Sequence, residues 1–206
     1  MIGYAARTGT RRNLAALRAA GWRLLVSAAG DLRPEGFRYA LDNGAWSCFQ
    51  QDRPFDDAAF QRAVDALGRG ADWIVLPDIV AGGARSLALS LSWLPRLQPL
   101  GVRLLLAVQD GMTPLQIAPL VGPRLGLFVG GSTGWKLATA CTWGEVARAR
   151  RAYLHIARVN TRRRVALCAA AGANSFDGTS PSRYACTLPL LDAARRQPDL
   201  LARVPA

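Results

Sequence analysis

Histidine is almost absent from this chain. Of 206 residues only His155 carries an imidazole, and Cys48, Cys141, Cys168 and Cys186 are scattered with no CxxC pair. A zinc site needs about four nitrogen or sulfur ligands, usually with two close in sequence. This inventory argues against any metal and reads the cysteines as reduced, buried thiols. Acids are scarce too: 14 against 26 basic residues, a net charge of +12. Lysine is rarer still, with Lys136 the one lysine among those 26. An arginine-rich chain with a pI near 11.0 favours a polyanionic partner. No apolar run approaches the ~20 residues of a spanning helix, and no segment resembles a signal peptide. The expectation is a cytoplasmic protein, not bound to a membrane, folded as one domain over residues 1–206.

Half of the residues are hydrophobic, and they are arranged in a rhythm. Short apolar, β-prone runs alternate with alanine- and leucine-rich stretches at helical spacing. Eight strands are expected: Ile2–Tyr4, Arg23–Ser27, Arg38–Asp42, Trp73–Pro77, Arg103–Gln109, Gly126–Gly130, Tyr153–Ala157 and Ala173–Asp177. Helices are expected over Arg11–Ala20, Asp56–Arg69, Ala84–Leu97, Pro114–Leu120, Trp143–Arg151, Thr161–Ala171 and Thr187–Arg203. Runs such as "WIVLP" and "RLLLAV" suit parallel strands buried on both faces. Eight strand–helix units point to an α/β fold, a compact (β/α)8 barrel of the TIM type. The stretch 28–37 is too short for a full helix, so one unit is abbreviated. An open doubly wound sheet is the alternative, but no GxGxxG follows the first strand to mark a dinucleotide site.

Such barrels build their active sites at the C-terminal ends of the strands. Here those ends are polar or glycine-rich. The third strand ends in Asp42, then Asn43-Gly44. Asp78 follows the fourth, Gln109-Asp110 closes the fifth, and Gly130-Gly131-Ser132 the sixth. The seventh leads to Arg158 and Asn160, and the eighth ends in Asp177. Each taken singly is also a plausible turn; their common placement is not explained by turns. His155 lies inside a strand and reads as a packed or hydrogen-bonded core histidine. Without a histidine cluster, paired carboxylates remain, an arrangement suited to chemistry at an anomeric carbon.

The motifs "LDNGAWSCF", "DWIVLPDIVAGG", "LLLAVQDGM", "LFVGGSTGWK" and "GANSFDGTSPSR" resemble, in order, those of the guanine transglycosylases, whose best-known members act on tRNA. The resemblance covers roughly residues 38–183. It implies Asp177 as nucleophile and Asp42 as general acid/base. It also implies a base site formed by Asn43, Asp78, Gln109, Gly130, Gly131 and Ser132, with Trp46 or a neighbouring aromatic stacking on the base. No redox cofactor or ATP is implied. Lys136, Arg158 and Arg183 are the expected contacts to a nucleic-acid backbone, with Arg162, Arg163 and Arg164 as further candidates. After Arg183 only 23 residues follow, with one cysteine and no histidine. The zinc subdomain of the tRNA enzymes is therefore not expected. The chain looks more like the short phage and bacterial paralogues that place 7-deazaguanine bases into DNA. A tRNA substrate, or a barrel that binds nucleic acid or a modified base without turnover, are the alternatives. Purified protein is expected to contain no stoichiometric zinc, and elemental analysis checks this.

Overall fold

A computed structural model describes residues 1–7, 10–184 and 186–197. Eight strands run through it: β1 (Ile2–Ala6), β2 (Arg23–Ser27), β3 (Tyr39–Asp42), β4 (Ile74–Val75), β5 (Leu104–Val108), β6 (Leu125–Val129), β7 (Leu154–Ile156) and β8 (Ser175–Gly178). All adjacent pairs are parallel, and β8 pairs back onto β1 to close the barrel. The described helices are α1 (Arg11–Ala19), α2 (Ala45–Gln50), α3 (Asp57–Leu67), α4 (Gly83–Leu97), α5 (Pro114–Ile117), α6 (Thr133–Arg150), α7 (Arg162–Ala170), α8 (Ser180–Arg183) and α9 (Thr187–Arg196). The fold is therefore a compact (β/α)8 barrel. Among the described residues no helix is long and apolar enough to cross a membrane.

Side chains on a strand alternate between its two faces, and this alternation divides the core in two. Leu104, Leu106, Val108, Leu127, Val129, Leu154, Ile156 and Phe176 face outward, in the layer packed under the helices. Tyr4, Ala40, Trp73, Val75, Leu105, Ala107, Phe128 and Ala157 fill the barrel interior. The strands read as continuous apolar runs because both layers are dry.

The structure departs from the sequence reading at β4, α6 and α2. β4 covers only Ile74–Val75, although ladder bonds continue on both sides: Leu41 N–H donates to Trp73 O (3.0 Å) and Leu76 N–H to Leu105 O (2.9 Å). Pro77 then ends the strand, having no N–H to donate. α6 starts at Thr133, ten residues before the expected Trp143, because Ser132 caps it by accepting from Trp135 N–H. The short helix α2 was not foreseen. No helix joins β2 to β3, as the short 28–37 segment requires. The last helix is seen to Arg196; its expected continuation beyond residue 197 lies outside the described residues.

Helices α6 and α7 cross closely at Gly144. A Cβ built there would sit 2.1 Å from the Ala171 carbonyl oxygen. Alanine ordinarily favours a helix over glycine by about 1 kcal/mol; at this site the backbone clash opposes that gain. Gly144→Ala is expected to destabilise the fold by about 1–3 kcal/mol, the usual cost of overpacking. Urea unfolding followed by circular dichroism measures it, and increased stability would refute the close packing.

Candidate active site

The inward parity of the strands continues into their polar ends. Asp42 follows Ala40 by two residues on β3, and Gln109 follows Ala107 by two on β5. On β7 the inward positions are His155 and Ala157; on β8 they are Ser175 and Asp177, flanking the outward Phe176. At this end of the barrel a cavity of about 750 Å³ opens, within the size range of small-molecule sites, about 300–1,000 Å³. Asp42, Asn43, Asp78, Gln109, Gly130, Gly131, Arg158, Asp177 and Arg183 all line it.

One wall is a continuous hydrogen-bond lattice. The Asn43 amide donates to Asp78 Oδ1 and to the Leu76 carbonyl, both at 2.7 Å, and accepts from Ala45 N–H (2.9 Å). The Gln109 amide donates to Asp78 Oδ2 and accepts from Gly131 N–H (2.9 Å). Both Asp78 oxygens are thus held, at 5% exposure. Burial raises its pKa to about 6, against the lowering effect of the Asn43 and Gln109 bonds. Gly131 has φ +69°, and a Cβ there would lie 2.6 Å from Asp110 Oδ2 and 2.7 Å from the Trp135 ring, so this turn of the rim requires glycine.

The two carboxylates expected to react have different surroundings. Asp42 is half-buried at the end of β3 and accepts from Gly44 N–H (3.1 Å). Burial is the main cause that raises its pKa to about 6; a Ser27 hydrogen bond opposes the rise and the charge of Asp177 adds to it. Asp177 is 6% exposed. Its Oδ1 lies 2.9 Å from His155 Nε2, and Arg158 N–H is 3.3 Å from both carboxylate oxygens. Arg158 has φ +56°, a left-handed backbone rare for a side-chain-bearing residue, and this turn aims its N–H at the carboxylate. Its guanidinium lies 4.1 Å from the Trp46 ring centroid and donates to the Gly131 carbonyl.

Two expected contacts fall elsewhere. Lys136 is not at the surface to meet phosphate: it is 1% exposed, and its ammonium donates to the Ala157 carbonyl behind the cavity wall. Burial, then repulsion from Arg158, lowers its pKa to about 8. The cause is the early start of α6, which turns this residue inward. Ser132 does not line the cavity; its hydroxyl donates to Asp110 Oδ1 (2.6 Å) and caps α6. Arg183 is exposed at the mouth, where Arg164, Asn160 and Thr179 also lie. Arg162 and Arg163 are exposed in the first turn of α7. His155 is the residue whose contact with Asp177 the sequence reading missed. The signal was present, since Leu154 and Ile156 flank it as outward residues and leave it the interior.

Fold and cavity together define a (β/α)8 barrel with an acid-lined site at the C-terminal ends of its strands. No family model matches the chain, and no curated protein matches it. Solved structures do share its architecture. RipC from Yersinia pestis is 14% identical, with a TM-score of 0.57 over 93% of this chain and 94% of that one. Tryptophan synthase from M. tuberculosis is 16% identical, with a TM-score of 0.57 over 94% and 88%. Malate synthase from Haloferax volcanii is 14% identical, with a TM-score of 0.55 over 98% and 74%. At these identities the likeness is one of fold.

The raised carboxyls tie stability to pH. A carboxyl near 6 when folded and 3.8 when unfolded binds its proton more tightly in the native state. Stability therefore falls as pH rises from about 3.8 to about 6 and stays lower above that window. Asp42→Asn removes one such charge. It is expected to stabilise the protein at pH 7.5 by about 1–3 kcal/mol, given ~1.4 kcal/mol per pKa unit and the partial exposure of Asp42. The gain is expected to vanish near pH 4. Thermal melts of both proteins at the two pH values check this.

Proposed function

We propose that the protein exchanges guanine in a nucleic acid, with DNA the favoured substrate, for a free 7-deazaguanine base. One observation supports this above the others: Asp42 and Asp177 open onto the same cavity, next to the Asp78–Asn43–Gln109 wall and the Gly130–Gly131 backbone. Two carboxylates with separate tasks suit displacement at an anomeric carbon. The +12 net charge suits a polyanionic substrate.

The target nucleotide leaves the base stack, since its C1′ is otherwise out of reach. A carboxylate oxygen of Asp177 forms a bond to C1′ while the bond from C1′ to the guanine nitrogen breaks. Asp42 donates its proton to the departing guanine, and a glycosyl ester on Asp177 results. An incoming 7-deazaguanine then loses its N9 proton to Asp42. Its N9 bonds to C1′, the ester C–O bond breaks, and the electron pair returns to Asp177. Asp42, with a pKa raised to about 6, can act in both directions near neutral pH. Asp78 and Gln109 keep unused hydrogen-bonding capacity for the polar edge of the base, and Trp46 offers a ring for stacking. Arg183 at the mouth suits a phosphate.

Incubation with radiolabelled guanine and either DNA or tRNA, followed by denaturing gels, tests the reading. Wild type is expected to exchange label into DNA and to form a covalent band. Asp177→Asn should abolish the band, because an amide cannot serve as the nucleophile. Asp42→Asn should slow exchange by about 10²–10⁴-fold while nucleic-acid binding persists. Exchange into tRNA alone would move the substrate assignment to RNA. Binding of nucleic acid with neither exchange nor band would favour the non-catalytic barrel.

A further inference from the structure

We propose that His155, anchored from behind by Ser175, is a positioning residue for Asp177, so that Oδ1 is held by the imidazole while Oδ2, which among the described residues meets only the Arg158 N–H, is left to react. This rests on the base-exchange reading. The geometry leaves little freedom. His155 and Ser175 are both 0% exposed. Ser175 Oγ lies 2.8 Å from Nδ1 of His155, and Asp177 Oδ1 lies 2.9 Å from Nε2. An ionised carboxylate only accepts, so Nε2 carries the hydrogen. Nδ1 of the neutral ring then accepts from the Ser175 hydroxyl.

The ring itself is clamped. It stacks on Phe128 at 5.0 Å between centroids (13° between planes), with Trp73 at 4.6 Å and Tyr4 at 6.0 Å. The groups facing it from the surrounding elements are Asp177 and Ser175 of β8, Tyr4 of β1 and Lys136 of α6. Burial lowers its pKa, with Lys136 acting in the same sense and Asp177 against it. The ring is therefore neutral at pH 7, and the donor to Asp177 is a neutral N–H.

That donor has a use in each half of the exchange. In the first, it fixes the carboxylate plane while Oδ2 attacks C1′, which is orientation provided before the reaction. In the second, the ester C–O bond breaks and negative charge returns to the carboxylate. The N–H on Oδ1 stabilises that charge as it develops. Loss of the donor should therefore hinder breakdown of the covalent intermediate more than its formation.

The test uses the full chain and its single imidazole, whose nitrogen NMR signals need no assignment among histidines. Wild type should show the Nε2–H tautomer, and Asp177→Asn should lower the imidazole titration midpoint. In base exchange, His155→Phe removes the donor. It should lower kcat about ten- to a hundredfold, the value of one hydrogen bond to a charged group, with KM for the base unchanged. The covalent band should persist longer, and His155→Gln, which keeps a donor, should recover part of the rate. An Nδ1–H tautomer, an unmoved titration in Asp177→Asn, or wild-type kcat in His155→Phe would each overturn the assignment. If wild type exchanges no base at all, the base-exchange reading falls, and the tautomer and titration alone decide the hydrogen-bonding claim, which also holds where His155→Phe does not fold.

Discussion

The site depends on the closure of the barrel between β8 and β1. Their register sets Tyr4 opposite Asp177 and Gly3 opposite Phe176. Phe176 then points outward to meet Trp22 edge-on, at 5.5 Å between centroids, while Asp177 points inward. A slip of one residue would exchange the two faces. It would bury the carboxylate among the helices and turn the phenyl ring into the cavity. An apolar residue on one face of β8 is thus what holds a charged residue on the other.

Closure also makes the interior dry enough to change the chemistry of what it holds. Below the cavity the barrel is filled by aromatic and aliphatic side chains, with Trp73, Tyr4 and Phe128 around His155. At the far end the polar groups are paired. Tyr4 donates to Asp72 (3.0 Å), and Arg23 and Arg38 form salt bridges to the same carboxylate at 2.9 and 2.7 Å. At the cavity end Arg7 pairs with Asp31, but Asp42 and Asp78 have no such salt bridge among the described residues. Asp78 is held by two amides, and Asp42 by a serine and a backbone N–H, so burial wins and both pKa values rise to about 6. The two ends of one barrel thus treat an aspartate in opposite ways. The end that leaves Asp42 and Asp78 without a salt bridge is the one that opens to solvent through a large cavity, a common cost in stability at candidate sites.

Arginine and lysine separate in the same way. Lys136 has a flexible stem that can carry its charge to a carbonyl inside the wall. Arg158 keeps a planar guanidinium that lies over Trp46 and bonds across to Gly131, linking α2 to the end of β6. Its backbone N–H meanwhile serves Asp177. A single residue therefore ties three segments of the rim together, and none of this is visible in its position along the chain.

The amino-acid sequence by itself determined the eight strands, their parallel burial and the gathering of Asp42, Asp78, Gln109, Gly131 and Asp177 at strand ends. Those features are local, since apolar runs, helical spacing and turn residues act over a few neighbours. The abbreviated unit between β2 and β3 was legible for the same reason, from a count of residues alone. What only the tertiary structure decided were the partners. His155 looked like a core histidine, and it is buried; that it meets Asp177 depends on the register of β7 against β8, where it lies opposite Ser175. Lys136 looked like a surface cation, and the helix that begins at Thr133 turned it inward. Ser132 looked like part of the base site and was taken by Asp110 and by the cap of α6. Each of the three ends in a contact with a residue about twenty positions away, Asp177, Ala157 or Asp110, and a parity or spacing rule says which way a side chain points but not what it finds there.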